Sequence, residues 1–346
     1  MDDGNEACGR GVAGDGSALA GGRATGARLR AALATGAHGP GRAFCIAVLP
    51  LLLLLAGVGL VEPAFLSSAN MGMLAGESSV LLLLASGQTL VILLGGIDLS
   101  MAALAALASV LLALVLPAMG GAGVLGVLAL TTAIGAFQGA VHVHGQLPSL
   151  VVTLAGAGLW AGIALAVGHT TIPVTRGYAA VGWLESDSGG VPHSFAFALA
   201  ALLLLAACLR WLPWGRRMVA AGLNPRAALL SGVRVGRVKI VAFALAGLFS
   251  GLAGMALVAR TYSGSPGIAD SLLLPSIAAV LLGGNAITGG VGGMGRTLAG
   301  VLTVTVLRVG VAAAGLDPAY EPVAYGVLIV LAAALTLDRT RLSVIK

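Results

Sequence analysis

Charge is scarce in this chain. Only 9% of its 346 residues are Asp, Glu, Lys or Arg, while 58% are hydrophobic and the mean hydropathy is +1.02. Soluble domains carry about 25% charged residues, so a water-soluble globule is excluded and a polytopic membrane protein is indicated. Aromatic residues are equally few, at 4%. That excludes a transmembrane barrel, which needs aromatic girdles, and runs of Leu, Ala, Val and Gly at this length read as helices. The three cysteines, Cys8, Cys45 and Cys208, form no spaced pair, so neither a disulfide framework nor a zinc site is expected. Lysine occurs only at Lys239 and Lys346, and neither follows a glycine. Residues 290–297 (GVGGMGRT) satisfy G-x-G-x-x-G, yet an apolar run precedes them where a phosphate-binding loop needs a strand, and Arg296 holds the lysine position. The chain is therefore expected to bind no nucleotide or metal cofactor, and any ATP must be used by a partner. The net charge of +6 does not indicate nucleic acid, because the basic residues fall between apolar runs and not along one face.

What is abundant is glycine, with 53 residues. Gly135 and Gly139, Gly158 and Gly162, and Gly247 and Gly251 have the small-xxx-small spacing that lets helix backbones approach closely. From residue 73 to 116 only Glu77 and Asp98 are charged, a stretch about twice the ~20 residues that cross a bilayer. It must fold back near Gly95 and Gly96. Ten spans are predicted, near residues 43–61, 73–94, 98–116, 122–141, 148–167, 194–212, 238–259, 271–283, 297–314 and 322–337. Residues 1–42, rich in Gly, Ala and Arg, are expected to be a disordered tail, 43–338 the transmembrane domain, and 339–346 a short tail. The first span is read as an uncleaved anchor, since a 42-residue leader is too long for a signal peptide.

Placing the N-terminus in the cytoplasm assigns every loop a side. Arg10, Arg23, Arg28, Arg30 and Arg42 then lie inside. So do the seven basic residues between spans six and seven, Arg210 to Lys239, together with Arg296, Arg339, Arg341 and Lys346. Only Arg176 and Arg260 lie outside, and Arg308 falls within a span. Both termini are expected to be cytoplasmic. The eighth run, residues 271–283, is too short to cross unless it continues through Thr288 or is a broken helix, and broken helices often line solute pathways. Residues 168–192 form the longest polar stretch on the outer side, a docking surface or an ordinary loop.

In the cytoplasmic segment 213–237, Asn224 suits a helix cap, Pro225 a first turn and Gly232 a stop, giving a short helix of about two turns that suits a lever docked into a partner. Asp98 and Ser100 either cap the third span or touch solute, and the two roles are compatible. Gln88 and Gln138 are neutral polar groups within spans, suited to interhelical hydrogen bonds. His142 and His144, two residues apart, fall on different helix faces, which disfavours a metal site. Arg308 either snorkels or pairs with an acidic neighbour.

Residues 87–100 (GQTLVILLGGIDLS) strongly resemble the signature of permease subunits of ribose-type and related monosaccharide ABC importers. Residues 147–154 (LPSLVVTL) resemble the family's P-x-x-[IV]-V-T-L motif and 222–232 (GLNPRAALLSG) its cytoplasmic helix. Gly283 and Gly284, followed by Gly289 and Gly290, resemble its glycine-rich loop. Arg226 and Leu229 stand where the family often has Glu and Arg, Gln138 where Asn is common, and Arg296 where a glycine is. The resemblance implies an all-α integral membrane protein of about ten helices in the bacterial cytoplasmic (inner) membrane, not itself an enzyme. Two permease subunits, identical or not, would form one pathway; an extracytoplasmic solute-binding protein would deliver a ribose-like sugar, and an ABC ATPase would dock on Asn224, Arg226, Ala227, Ala228, Ser231 and Gly232. The expected pathway runs by Gln88, Asp98, Ser100, Gln138 and Asn285. Other solutes, such as a nucleoside, a branched-chain amino acid or a signalling sugar, remain open. So does an ion-coupled secondary transporter using Glu77, Asp98 or Arg308.

Overall fold

Residues 78–93 carry apolar side chains all round the helix, and such a helix is stable only where protein surrounds it. In the structure, a computed structural model that describes residues 40–313, 317, 319, 321, 323 and 325–327, every residue from Ser78 to Leu93 is buried. They belong to α2 (Ser68–Leu93), which follows α1 (Pro40–Val61). Then come α3 (Met101–His144), α4 (Ser149–Val167), a short α5 (Ala179–Gly182), α6 (His193–Trp211), α7 (Pro213–Leu223), α8 (Pro225–Leu230), α9 (Val235–Thr261), α10 (Leu273–Leu282) and α11 (Met294–Ala313). Six of these, α2, α3, α4, α6, α9 and α11, are long and apolar enough to cross a membrane. The contacts described below lie in the unit that begins at Ile46.

Helix α2 is the axis of the bundle, packed by α6, α9, α10 and α11 through a core that includes Leu82, Leu84, Leu90, Ile92, Phe249, Ala278 and Val304. α3 runs along α9 and carries α4 on its other side. α4 and α6 turn most of their residues outward, with only 28% and 22% of each apolar window buried. On a chain of this composition those faces suit lipid.

The third and fourth spans are the two halves of α3, which breaks into two helices at Gly120 (φ 50°, ψ −127°), three residues after Pro117; Gln138 in the second half meets Ser100 at the start of the first, so the halves fold back on one another. The proline removes a donor, and glycine alone takes the dihedrals of the break at no cost. Other expectations change in detail. α1 begins at Pro40, three residues earlier than expected. The tail ahead of it, the final eight residues and most of the tenth span lie outside the described residues. The eighth run does not continue through Thr288: α10 has ten residues, preceded by a 3-10 turn at Asp270–Leu272 and stopped at Gly283 and Gly284. Segment 213–237 holds two helices ahead of α9, not one. α7 was missed, although Pro213 at its first position and the alternation of buried Gly215, Met218 and Gly222 with exposed Arg216 and Arg217 mark it.

The polar stretch 168–192 forms short strands. β1 (Ile172–Pro173) pairs antiparallel with β4 (Ser263–Gly264), and β2 (Asp187–Ser188) pairs with β3 (Val191–Pro192) through a two-residue turn. Gly189 and Gly190, both at positive φ, supply the turn. Tyr178 stacks on Tyr262 and donates to the Ala259 carbonyl at 2.6 Å; burial, then the Tyr262 hydroxyl, pushes its phenol well above the ordinary range.

Two of the three spaced glycine pairs are helix contacts. A β-carbon on Gly135 would strike the Phe243 carbonyl, and one on Gly247 the Thr131 carbonyl, so α3 and α9 touch backbone to backbone. The third pair, Gly158 and Gly162, has nothing within 4 Å. Gly→Ala in a helix ordinarily stabilises by about 0.4–1 kcal/mol. Gly158→Ala should therefore leave the thermal unfolding midpoint in detergent unchanged or raised. Gly247→Ala should lower it, through a destabilisation of about 1–3 kcal/mol typical of overpacking.

Candidate functional site

At the end of α2 the chain stops its helix with a left-handed residue, as helices commonly do. Gly95 (φ 75°) donates to the Ile92 carbonyl at 2.9 Å, and Gly96 donates to Val91 at 3.0 Å. The remaining carbonyl at Leu93 receives the N–H of Gly290 at 2.8 Å. Gly289 and Gly290, at φ 85° and 75°, hold that loop in a conformation other residues resist. A β-carbon on Gly289 would lie 2.7 Å from the Gly95 nitrogen, and one on Gly290 2.5 Å from the Leu223 nitrogen. One on Gly222 would strike the Leu93 carbonyl oxygen. The end of α2, the loop after α10 and the end of α7 thus meet in a knot that only glycine permits. Gly283 serves the same purpose nearby, since a side chain there would strike the Arg296 carbonyl. Arg296 lies within α11, not in a loop, and its Nη1 donates to the Gly284 carbonyl at 3.2 Å.

Behind the knot lies a buried polar band that contains all five expected pathway residues. Gln88, its amide oriented by its partners, donates to the Asp98 carbonyl at 3.0 Å and accepts from the Asp98 N–H at 3.3 Å. Asp98 Oδ1 accepts from the Ser100 N–H at 2.8 Å and from the Ser100 hydroxyl at 2.6 Å. Gln138 Nε2 donates to that hydroxyl at 3.0 Å. Asp98 thus closes a turn with Ser100, the residue at the N-cap position of α3, and neither side chain bonds an N–H of the helix itself. Among the described residues no basic side chain forms an ion pair with Asp98. Asn285 pins the glycine loop: its Oδ1 accepts from Gly293 N–H at 2.7 Å, and its Nδ2 donates to Val280 O at 2.7 Å and to Thr297 Oγ1 at 3.2 Å. Thr297 and Thr89 hydroxyls lie 2.7 Å apart, so the two halves of the band join through Gln88 and Thr89, neighbours on α2. Ser149 and Thr153 add bonds to Ile97 N (3.4 Å) and Ile97 O (3.2 Å), bringing the start of α4 to the same place.

Gln88, Ser100 and Asn285 are fully buried, and Asp98 and Gln138 nearly so. Thr89, Ser149, Thr153 and Thr297 were not singled out from the sequence. A small hydroxyl residue inside an apolar run leaves little signal, although Ser149 and Thr153 lie in a motif already recognised.

Two residues beyond Gly222, Asn224 accepts from the Ala227 N–H at 3.0 Å and opens α8, whose first residue is Pro225. Ser231 donates back to the Ala227 carbonyl at 2.9 Å, and Gly232 (φ 81°) ends the turn. Ala228 is 5% exposed and faces the chain itself, whereas Leu229 and Leu230 are 64% and 89% exposed. Arg226 and Ala227 are exposed as well.

The opposite end of the bundle carries an open cleft of about 650 Å³, lined by Ser68, Gly72, Glu77, Glu185, Asp187 and Arg260 among others. Glu77 forms an ion pair with Arg260, and Arg308 lies 3.8 Å from Glu321, the partner that the sequence left open. His142 and His144 make separate contacts, with Leu147 O at 2.6 Å and Ala140 O at 2.9 Å. Among the described residues no group of three His, Cys, Asp or Glu is placed to hold a metal ion.

Residues 70–333 match the family described as branched-chain amino acid transport system / permease component. The chain is 36% identical over 302 residues to the ribose import permease protein RbsC of Bacillus subtilis (strain 168), an alignment covering 85% of this chain and 92% of that protein. It is 33% identical over 292 residues to the ribose import permease protein RbsC of Escherichia coli (strain K12), covering 82% and 91%. It is likewise 33% identical over 316 residues to the fructose import permease protein FrcC of Rhizobium meliloti, covering 86% of each. No solved structure matches the chain. With six helices fit to cross a membrane and a match over most of its length, the chain is a multi-pass membrane protein and belongs to this permease-component family.

Proposed function

We propose that the chain is the membrane-spanning subunit of an ATP-driven importer for a monosaccharide such as ribose, with ten spans and both termini in the cytoplasm of a bacterial inner membrane. The observation that carries this reading is the route from α8 to the membrane interior. A capped surface helix with two exposed leucines begins two residues after Gly222, and Gly222 touches the end of the central helix α2. Such a helix has no use in a transporter that works alone. It suits a lever that a cytoplasmic ATPase seizes by Leu229 and Leu230, while Ala228 anchors it to the chain.

A second permease subunit and an extracytoplasmic binding protein complete the assembly in this reading. The knot brings together Gly95, Gly222 and Gly290, which charge placement puts on the cytoplasmic side, while the cleft gathers Ser68, Asp187 and Arg260, which it puts outside. Displacement of α8 passes through Gly222 to α2 and the loop after α10, and Gln88, Asp98, Ser100, Gln138 and Asn285 form the frame that moves as one piece. The secondary-transport alternative has less support. Glu77 and Arg308 each have a counter-charge, and Asp98 accepts two hydrogen bonds from Ser100.

Reconstitution with the partner ATPase and binding protein should give ATP-dependent uptake of labelled ribose, fructose or galactose. Uptake by the chain alone under a proton or sodium gradient overturns the reading. Leu230→Asp together with Gly232→Pro should abolish uptake and release the ATPase while membrane insertion persists, measured by co-purification. Asn224→Ala, which loses a cap of about 1 kcal/mol, should weaken both partially. Gly222→Val should retain the ATPase on the membrane but lose solute movement, since its side chain forces α7 away from Leu93.

A further inference from the structure

The end of α3 and the start of α9 enclose an open pocket that takes no part in the knot or the polar band. It has a volume of about 440 Å³ and is lined by His142, Gln146, Leu147, Pro148, Gly236 and Lys239 among others. The two helices meet closely there, since a β-carbon on Gly236 would lie 2.9 Å from Val143 Cγ1. Contacts on both sides fix the His142 ring. A carbonyl oxygen only accepts, so Nδ1 donates to Leu147 O at 2.6 Å, and the lone pair of Nε2 faces the Lys239 ammonium at 3.1 Å. Lys239 thus gives one of its three N–H groups to a neutral imidazole. Among the described residues its ammonium makes no other hydrogen bond and no ion pair.

The surrounding chain is free of opposing charge. The sequence has no acidic residue between Asp98 and Glu185, nor between Asp187 and Asp270, so every helix from α3 to α9 lacks one. Asp98, just ahead of α3, is buried and accepts from Ser100. Arg234 and Arg237, both exposed, flank Gly236 at the start of α9, whose first turn has no side-chain cap. An uncapped helix N-terminus adds to the positive field of the basic side chains. The pocket is therefore suited to an anion, and its surroundings narrow the kind. Leu147, one of its walls, is exposed, and so are Leu150, Val151 and Leu154 in the first turns of α4, which starts at the residue after Pro148. A cationic pocket beside bare apolar helix surface, in a chain that spans a membrane, matches a molecule with an anionic head and a hydrocarbon tail.

We propose that this pocket binds the phosphate group of an anionic phospholipid, with the Lys239 ammonium donating to its oxygens, His142 holding Lys239 in place, and the acyl chains lying along the exposed face of α4. The inference needs only a membrane-spanning chain and stands apart from the importer reading. The test uses the purified full chain in detergent. Phosphatidylglycerol should raise the thermal unfolding midpoint saturably, whereas phosphatidylcholine of the same chain length, or inorganic phosphate at equal concentration, should not. Lys239→Gln should raise the phosphatidylglycerol concentration for half the shift by about tenfold or more, the loss expected for a hydrogen bond between charged groups, and Lys239→Arg should recover part of it. R216Q with R217Q removes two exposed charges on α7 that do not line the pocket, and should change that concentration less than twofold. A loss in this double variant equal to that in K239Q means diffuse attraction and overturns the site. An equal shift with phosphatidylcholine overturns it too. Stabilisation by inorganic phosphate that K239Q abolishes makes the ligand a soluble phosphate and overturns the lipid. The wild-type chain gives a second readout should K239Q fail to fold. A phosphatidylglycerol carrying a photoreactive group near its head should label residues 142–148 or 235–239, and labelling confined to other segments overturns the proposal.

Discussion

The Leu93 carbonyl accepts from Gly290 and faces the bare α-carbon of Gly222, and the arrangement of the remaining helices follows from that contact. Hydrocarbon offers no solvent to satisfy a helix end, so the carbonyls released where α2 stops need protein partners. The loop after α10 supplies one, and can do so only because its two glycines adopt positive φ within touching distance of Gly95. Helix α10 must then be short, since its loop has to reach back to α2, and α7 must end against the same point.

The polar band extends this constraint into the bundle. Gln88, Asp98, Ser100 and Gln138 tie α2 to both halves of α3, and Thr89, Thr297 and Asn285 tie α2 to α11 and the glycine loop. Networks of this kind hold geometry. The residues with accessible charge are instead at the other end of α2, in Glu77 and its surroundings. One helix therefore carries a buried, hydrogen-bonded end and an open, charged end.

Much of this was readable before the coordinates. The break at Gly95 and Gly96, the cap at Asn224 and the stop at Gly232 each rest on local chemistry, glycine at positive φ or a side chain reaching its own backbone, and such features are encoded within a few residues. Resemblance found the four motifs. What it left hidden was that they meet, because a contact between Gly222, Leu93 and Gly290 depends on packing across the whole chain. Side-chain direction was hidden as well: Ala228 and Leu229 are adjacent in sequence, but only the fold sends one inward and the other out. The division of α3, by contrast, was legible: Pro117 and the glycines after it mark a break, and Gly120 makes it.

The position of Thr89 bears on how the protein is made. Its hydroxyl meets Thr297, 208 residues further along the chain. A ribosome must therefore deliver α9, α10 and the first turn of α11 before Thr89 meets this partner. Until then Thr89 can bond to the Ala85 carbonyl of its own helix at 2.7 Å, which keeps the hydroxyl satisfied in lipid. Biogenesis thus ends with the closing of partners around a segment inserted near its beginning, and a truncated translation product would leave that segment stranded.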